Sequence, residues 1–153
     1  MKIFYKCLLV MLVVLTPSCE IVDELLVEEN QFSIVPTSFL ARENYILGTV
    51  YVANRNVTLS IWDHGQIDGD IVSIYVNDNL IIDTWELNGP DNKYEVDLKL
   101  DYNGYNYVLL YAHNEGDIPP NTVSIAIDDG ISKDDFILES DLERNGTIDL
   151  VVQ

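Results

Sequence analysis

The stretch VTLSIWDHGQIDGDIVSIYVNDN (57–79) recurs 51 residues later as VLLYAHNEGDIPPNTVSIAIDDG (108–130). Both segments carry apolar residues at alternate positions, and their loop residues also align, including Gly65 with Gly116 and Ile67 with Ile118. Alternation with a period of two is typical of a strand that buries one face. Each copy therefore predicts a strand, a loop and a returning strand. The pair predicts a fold built about a pseudo-two-fold axis.

The remainder of the chain from residue 32 onward has the same character. Short alternating runs rich in Val, Ile, Tyr and Thr are separated by clusters of Asn, Asp, Gly and Pro. The predicted strands are 46–52, 57–62, 71–76, 80–87, 94–100, 106–113, 122–127, 135–138 and 147–152. No long segment keeps a helical period. The pattern predicts an all-β, antiparallel β-sandwich domain over residues 32–153.

The period of two also predicts which side chains face the core. Its members are Val57, Leu59, Ile61, Val72, Ile74, Val76, Val108, Leu110, Ala112, Val123, Ile125 and Ile127. Ser73 and Ser124 are predicted to face outward, as are Trp62 and His113 at their strand ends. The loop 63–70 is too long for a tight hairpin, so we expect it to cross from one sheet to the other.

Acidic residues dominate the chain after position 19. The sequence has 8 basic and 26 acidic side chains, and Lys2 and Lys6 are the only charged residues before that position. From residue 20 onward the balance is 6 minus 26, or −20. Such a surface repels nucleic-acid phosphates and anionic lipid headgroups, which argues against a nucleic-acid partner.

Residues 1–18 have the pattern of a bacterial lipoprotein signal peptide. Two lysines precede the apolar run 7–15, which is too short for a permanent membrane span of about twenty residues. Ser18 followed by Cys19 resembles a lipobox, although Thr16 stands where leucine is usual. We expect lipid attachment at Cys19, the only cysteine left after cleavage, and an acidic tether over residues 19–31.

The first loop of the repeat carries three aspartates, Asp63, Asp68 and Asp70. Carboxylates are hard oxygen ligands of the kind that Ca²⁺ prefers, although this spacing does not fit an EF-hand. The loop is therefore a candidate calcium site. A transition-metal site is disfavoured because His64 and His113 are the only histidines, and His113 aligns with Trp62.

A structural interpretation of the same aspartates is also open. The second copy has Asn114, Pro119 and Asn121 at the aligned positions. Asp and Asn both hydrogen-bond backbone amides in loops, so positions that accept either residue are typical loop caps. Under this alternative Asp63 and Asp70 cap the loop, and Asp68 belongs to a turn.

Aromatic residues provide a second candidate site. Tyr107, Leu109, Tyr111 and His113 alternate on one predicted outward face. An aromatic strip beside polar loops can stack on sugar rings or hold a peptide. The predicted ligand-binding residues are Trp62, Tyr111, His113, Asn114 and Asn121. The alternative is that other strands of the protein cover this face.

Catalytic motifs are missing from the sequence. It contains no G-x-S-x-G, no H-E-x-x-H and no glycine-rich phosphate loop. The carboxylate pairs at 128–129 and 134–135 are adjacent in the chain, so on strands they point to opposite faces. The sequence therefore predicts a protein that is not an enzyme.

The segments DGDIVSIYVN (68–77) and AHNEGDIPPNT (112–122) resemble an uncharacterised small β domain of exported proteins and lipoproteins of Gram-negative bacteria. The resemblance covers residues 46–152. It implies a β-sandwich of jelly-roll or immunoglobulin-like kind and no enzyme activity. The matching residues, implied to form the loops, are Asp68, Gly69, Asp70, Asn114, Pro119, Pro120 and Asn121.

These observations predict a non-enzymatic lipoprotein of the cell envelope, anchored through Cys19 and held at the outer membrane on its periplasmic or surface side. Its body is predicted to be a binding module for a glycan or for an envelope or extracellular protein, with Ca²⁺ as the candidate cofactor. The alternative is a purely structural or accessory subunit of an envelope complex that has no small-molecule ligand.

Overall fold

The computed structural model describes residues 32–153, which form two β-sheets packed against each other. The strands are β1 (Ser38–Phe39), β2 (Arg42–Val52), β3 (Asn56–Asp63), β4 (Ile71–Val76), β5 (Asn79–Glu86), β6 (Tyr94–Lys99), β7 (Tyr105–Ala112), β8 (Asn121–Asp128), β9 (Lys133–Ser140) and β10 (Arg144–Val152). One 3₁₀ turn, Pro90–Asn92, precedes β6. The predicted all-β sandwich is confirmed. The predicted signal peptide, Cys19 and the tether lie outside the described residues.

Within residues 32–153, no helix has the length and apolar character required to span a bilayer.

The larger sheet has the strand order β1-β2-β10-β7-β4-β5, and the smaller has β6-β3-β8-β9. All nine predicted strands are present. The sequence missed β1, because two residues are too few to show a period. One pair departs from the antiparallel prediction, since β2 and β10 run parallel. They are far apart in the chain, so no hairpin imposes an antiparallel direction on them.

The internal repeat is larger in the structure than in the aligned segments. β3 leads into β4 across the sandwich, and β7 leads into β8 in the opposite direction, so both connections cross between the sheets as predicted. β3 pairs with β8, and β4 pairs with β7. Extending the match, β5 corresponds to β9 and β6 to β10. Two four-stranded copies therefore interlock, each giving two strands to each sheet.

The core lies between the sheets and contains all twelve predicted residues, each of which is buried. The flanking strands add apolar side chains from Val50, Ile82, Leu138, Ile148 and Leu150. Ser73 and Ser124 occupy the opposite faces of their strands, as predicted, but other parts of the chain bury both. Ser73 is covered by β5 and His113, because its hydroxyl accepts the Thr84 amide and lies 2.8 Å from His113 Nε2.

Equivalent core residues of the two copies should contribute similar stability. Ile74 and Ile125 align in the repeat and are both fully buried, so replacing either by alanine leaves a cavity. We expect Ile74→Ala and Ile125→Ala each to lower the free energy of unfolding by roughly 2–5 kcal/mol. Chemical denaturation measures this. Ile131→Ala, at a side chain with 76% exposure, is the control and should change stability by less than about 0.5 kcal/mol. A small effect at only one of the two buried sites would contradict the shared core.

Candidate metal centre

Polar residues continue the inward-facing rows of the core strands at one end of the sandwich. Asp63 follows Ile61 at a spacing of two on β3, and Asp70 precedes Val72 at the same spacing. Asn114 and Asn121 hold the equivalent positions of the second copy. Burial is extensive: Asp63 is 4% exposed, Asp70 2% and Asn121 0%. The repeat therefore closes this end of the apolar core with four carboxylate or amide side chains.

Two arch loops, residues 64–70 and 113–120, pack against each other at this end. Asp68 Oδ2 accepts the Ile118 amide at 2.8 Å, and Asp68 O accepts the Asp117 amide at 3.1 Å. Gly116 has a φ of +54°, and a Cβ there would lie 2.6 Å from Asp68 Oδ1. Glycine suits both the left-handed backbone conformation and the close approach, because it has no Cβ. The second arch loop therefore packs closely around Asp68.

Asn114 acts as the predicted loop cap. Its Oδ1 accepts the Ile71 amide at 2.7 Å, and its Nδ2 donates to the Gly69 carbonyl at 2.8 Å. Both partners belong to the first copy. The cap therefore joins the two arch loops rather than closing a turn within its own loop.

Three carboxylates lie close together and are here called the aspartate cluster: Asp63, Asp68 and Asp70. One oxygen from each lies within 4.8 Å of an oxygen from each of the other two. Capping accounts for only some of their oxygens: Asp68 Oδ2 binds the Ile118 amide, and Asp70 Oδ2 accepts the Thr122 amide at 3.3 Å. Three buried oxygens have no hydrogen-bond partner among residues 32–153, namely Asp63 Oδ2, Asp68 Oδ1 and Asp70 Oδ1. Asn121 Oδ1, beside Thr122, is also unpartnered. Such atoms are rare and costly in folded proteins.

Burial and mutual repulsion make the aspartate cluster unfavourable as free anions. Burial, and then the charge of Asp68, raise the pKa of Asp70 to about 6, with smaller contributions from Asp63 and Glu115. The same two leading causes raise the pKa of Asp63. A cation placed among these oxygens would remove both penalties, because it replaces lost hydration and offsets the repulsion.

The donor set is that of a hard cation. A cavity of about 60 Å³ beside the cluster is lined by Asp63, His64, Gln66, Asp68, Asp70, Ile118 and Thr122. This volume suffices for an ion with a water molecule. The His64 ring is engaged elsewhere, since its Nδ1 lies 2.9 Å from Ser124 Oγ. The available oxygens therefore suit Ca²⁺ better than a transition metal.

The predicted ligand-binding residues do not form one surface. Tyr111 and His113 are neighbours on the outer face of the larger sheet, with ring centroids 5.2 Å apart. Arg42, at the start of β2, partly covers Tyr111, because its guanidinium lies 4.0 Å above the ring, whereas His113 is exposed. Tyr107 and Leu109, predicted to face outward with them, are buried. Trp62 pairs with Ser124 in the smaller sheet, while Asn114 and Asn121 adjoin the aspartate cluster.

Two residues that contribute to the site were not predicted from the sequence. Glu115 adds to the repulsion at Asp70, but a glutamate in a polar loop has no pattern that separates it from a solvated charge. Gly116 did carry a signal, its alignment with Gly65. The alignment marks a shared loop conformation, since both glycines have positive φ. It does not reveal that only Gly116 lies against a carboxylate.

Comparison with known proteins gives no match: no family model, curated protein or solved structure is significantly similar to the chain.

The metal-free protein should gain stability when it is mildly acidified. Asp70 has a folded-state pKa of about 6, above its ordinary value of 3.8, so protonation favours the folded state. This contribution is complete below the unfolded-state value and is lost as the pH rises through about 6. Asp63 acts in the same direction. In chelator, we expect the free energy of unfolding to rise by on the order of 1–2 kcal/mol between pH 7 and pH 5.

Urea denaturation at several pH values measures this dependence. Asp70→Asn should flatten it, because the substituted side chain cannot titrate. Asp129 is a useful contrast, since backbone amides of Ser132, Ala53 and Ile131 lower its pKa and its contribution is lost only at more acidic pH. The same pH dependence in wild type and Asp70→Asn in chelator would contradict a raised pKa at Asp70.

Proposed function

We propose that this protein is a lipid-anchored, non-enzymatic β-sandwich module of the cell envelope that holds a calcium ion at the arch-loop end of the sandwich. The observation that carries the proposal is the set of buried, unpartnered carboxylate oxygens in the aspartate cluster. Leaving one buried polar group unpaired costs about 1–3 kcal/mol, and more for a charged group. One hard divalent cation supplies the missing partner for all three carboxylates.

Calcium suits this donor set better than magnesium. Ca²⁺ accepts irregular shells of about six to eight oxygens, including backbone carbonyls and water, whereas Mg²⁺ requires a near-ideal octahedron. One carboxylate comes from the end of β3 and two from the first arch loop, and these two already use one oxygen each to accept an amide. The remaining oxygens are fixed by the fold and have little freedom to form a regular octahedron. Extracellular calcium modules bind with dissociation constants of about 0.1–1 mM.

The ion has an organising role in this proposal. The cluster oxygens are buried, so an ion among them is shielded from a large ligand. It reinforces the joint between the arch loops, because Asp68 and Asp70 each bind an amide of the second copy with their other oxygen. The ordered loop end then forms the surface offered to a glycan or an envelope protein.

The point at which the described chain enters the sandwich supports the proposal that the arch loops face a partner. Ser33 hydrogen-bonds to Tyr105, the first residue of β7, whereas the second arch loop follows Ala112 at the other end of that strand. The described chain therefore enters at the end of β7 opposite the aspartate cluster. With a lipid at Cys19, we propose that the arch loops lie on the side away from the anchoring membrane.

The serine–histidine contacts support a non-enzymatic role. Ser73 lies 2.8 Å from His113 Nε2, and Ser124 lies 2.9 Å from His64 Nδ1. A nucleophile must be reachable by its substrate. Ser73 is 1% exposed and already accepts the Thr84 amide, and Ser124 is 7% exposed. Both contacts hold strands to loops.

Calcium should stabilise the chain from residue 20 onward, which contains every described residue. An ion at a hundred times its dissociation constant adds about 2.7 kcal/mol, which raises the melting temperature by several degrees. We expect this shift between chelator and millimolar Ca²⁺ at pH 7.5, and a smaller one with Mg²⁺. Differential scanning calorimetry measures both.

Asp70→Asn makes the test specific. It removes one metal ligand and one repelling charge, so the variant should match or exceed the wild type in chelator and fall below it in calcium. Asp134→Asn, at an exposed aspartate on β9, removes the same charge away from the site and should keep the calcium shift. Equal calcium shifts in wild type and Asp70→Asn would refute the site.

A further inference from the structure

A second feature of the molecule lies on the outer face of the larger sheet, away from the aspartate cluster. Phe32, Ile34, Ile46 and Tyr105 line a cleft of about 350 Å³ together with Asp149. The four apolar side chains are large, and each is more than half exposed, from 52% to 68%. The volume lies in the range of small-ligand and side-chain pockets. Exposed apolar surface of this kind marks interaction sites in soluble domains.

Asp149 gives the cleft its chemical character. It lies in the middle of β10, paired with Thr49 of β2 on one side and Tyr107 of β7 on the other. Burial raises the pKa of Asp149, and no hydrogen bond or nearby positive charge among the described residues opposes that effect. The ion pairs found among residues 32–153 involve other acidic residues, namely Glu95, Asp135 and Asp141. A carboxylate surrounded by apolar side chains favours a cationic group that is itself flanked by apolar groups.

The protein itself cannot supply that cation well. The preceding segment, EIVDELLVEENQ (20–31), has five acidic residues and no lysine, arginine or histidine. A second copy of the chain is a poor partner for the same reason, because its net charge from residue 20 onward is −20. Charge complementarity therefore selects a foreign, basic partner.

We propose that this cleft binds a peptide segment of a partner protein that presents a basic side chain flanked by apolar ones. The apolar side chains pack against Phe32, Ile34, Ile46 and Tyr105, and the ammonium or guanidinium group pairs with the Asp149 carboxylate. Partly enclosed pairs of this kind are stronger than fully exposed ones, because the apolar walls exclude water. This proposal is independent of the calcium site.

Two matched peptides test it on the chain from residue 20 onward. Acetyl-Phe-Lys-Phe-amide carries the predicted cation, and acetyl-Phe-Gln-Phe-amide has similar apolar groups without it. We expect the lysine peptide to shift the NMR amide signals of Ile46, Tyr105 and Asp149 and to bind roughly fivefold more tightly than the glutamine peptide. Asp149→Asn should abolish the preference and keep the weak binding of the glutamine peptide.

Asp134→Asn separates a specific pair from general attraction to an acidic protein, and it should retain the full preference. Equal loss of the preference in Asp134→Asn and Asp149→Asn would overturn the proposal, as would unchanged signals at the cleft. Binding that appears only after removal of residues 20–31 would also overturn it, because that segment would then be the natural occupant.

Discussion

Carboxylates lie where the inward-facing rows of β3 and β4 extend beyond the apolar core. The arrangement of both arch loops depends on how the negative charge of these carboxylates is compensated. Asp63 and Asp70 are almost completely buried, yet neither forms an ion pair with another residue of the described range 32–153. The second arch loop supplies a backbone amide to Asp68, and the start of β8 supplies one to Asp70. Those amides satisfy part of the site and leave buried oxygens for a cation. The packing of the loops and the proposed metal site thus both follow from the same buried negative charge.

The internal repeat makes this arrangement possible because its two copies are not identical. Asp63 and Asp70 correspond to Asn114 and Asn121, so the two copies contribute different charges at equivalent positions. Aspartate in both copies would add two more negative charges to an end that already repels itself. Asparagine keeps the hydrogen-bonding geometry and can donate as well as accept. Asn114 uses both abilities to bridge the loops.

Much of the fold was predictable from the sequence because it depends on patterns within short segments. Alternation identified nine strands, and the repeat identified the twelve core residues and the crossing of the arch loops. The parallel pairing of β2 with β10 was not predictable, since it joins distant segments with no local signature. The aspartate cluster was predictable as a set of residue types. Its unpartnered oxygens were not, because they depend on which loop amides reach which carboxylate.

The aromatic strip shows the opposite limit of sequence reasoning. Alternation placed Tyr107, Leu109 and Tyr111 on one face, but strand periodicity cannot reveal what covers that face. The segment around Phe39 and Arg42 covers part of it. The ring centroids of Phe39 and Tyr75 are 4.7 Å apart, and the Arg42 guanidinium lies over the Tyr111 ring. What stays open on this sheet is the cleft around Asp149, whose apolar walls come from three separate stretches of chain. No single stretch could have indicated it.

We propose that the aspartate cluster holds a cation. A high-resolution crystal structure of the chain from residue 20 onward, grown with millimolar calcium at neutral pH, tests it most directly. We predict anomalous density for one ion about 2.3–2.6 Å from Asp63 Oδ2, Asp68 Oδ1 and Asp70 Oδ1. A cluster that holds only water, or that closes through short hydrogen bonds between protonated carboxyl groups, would contradict it.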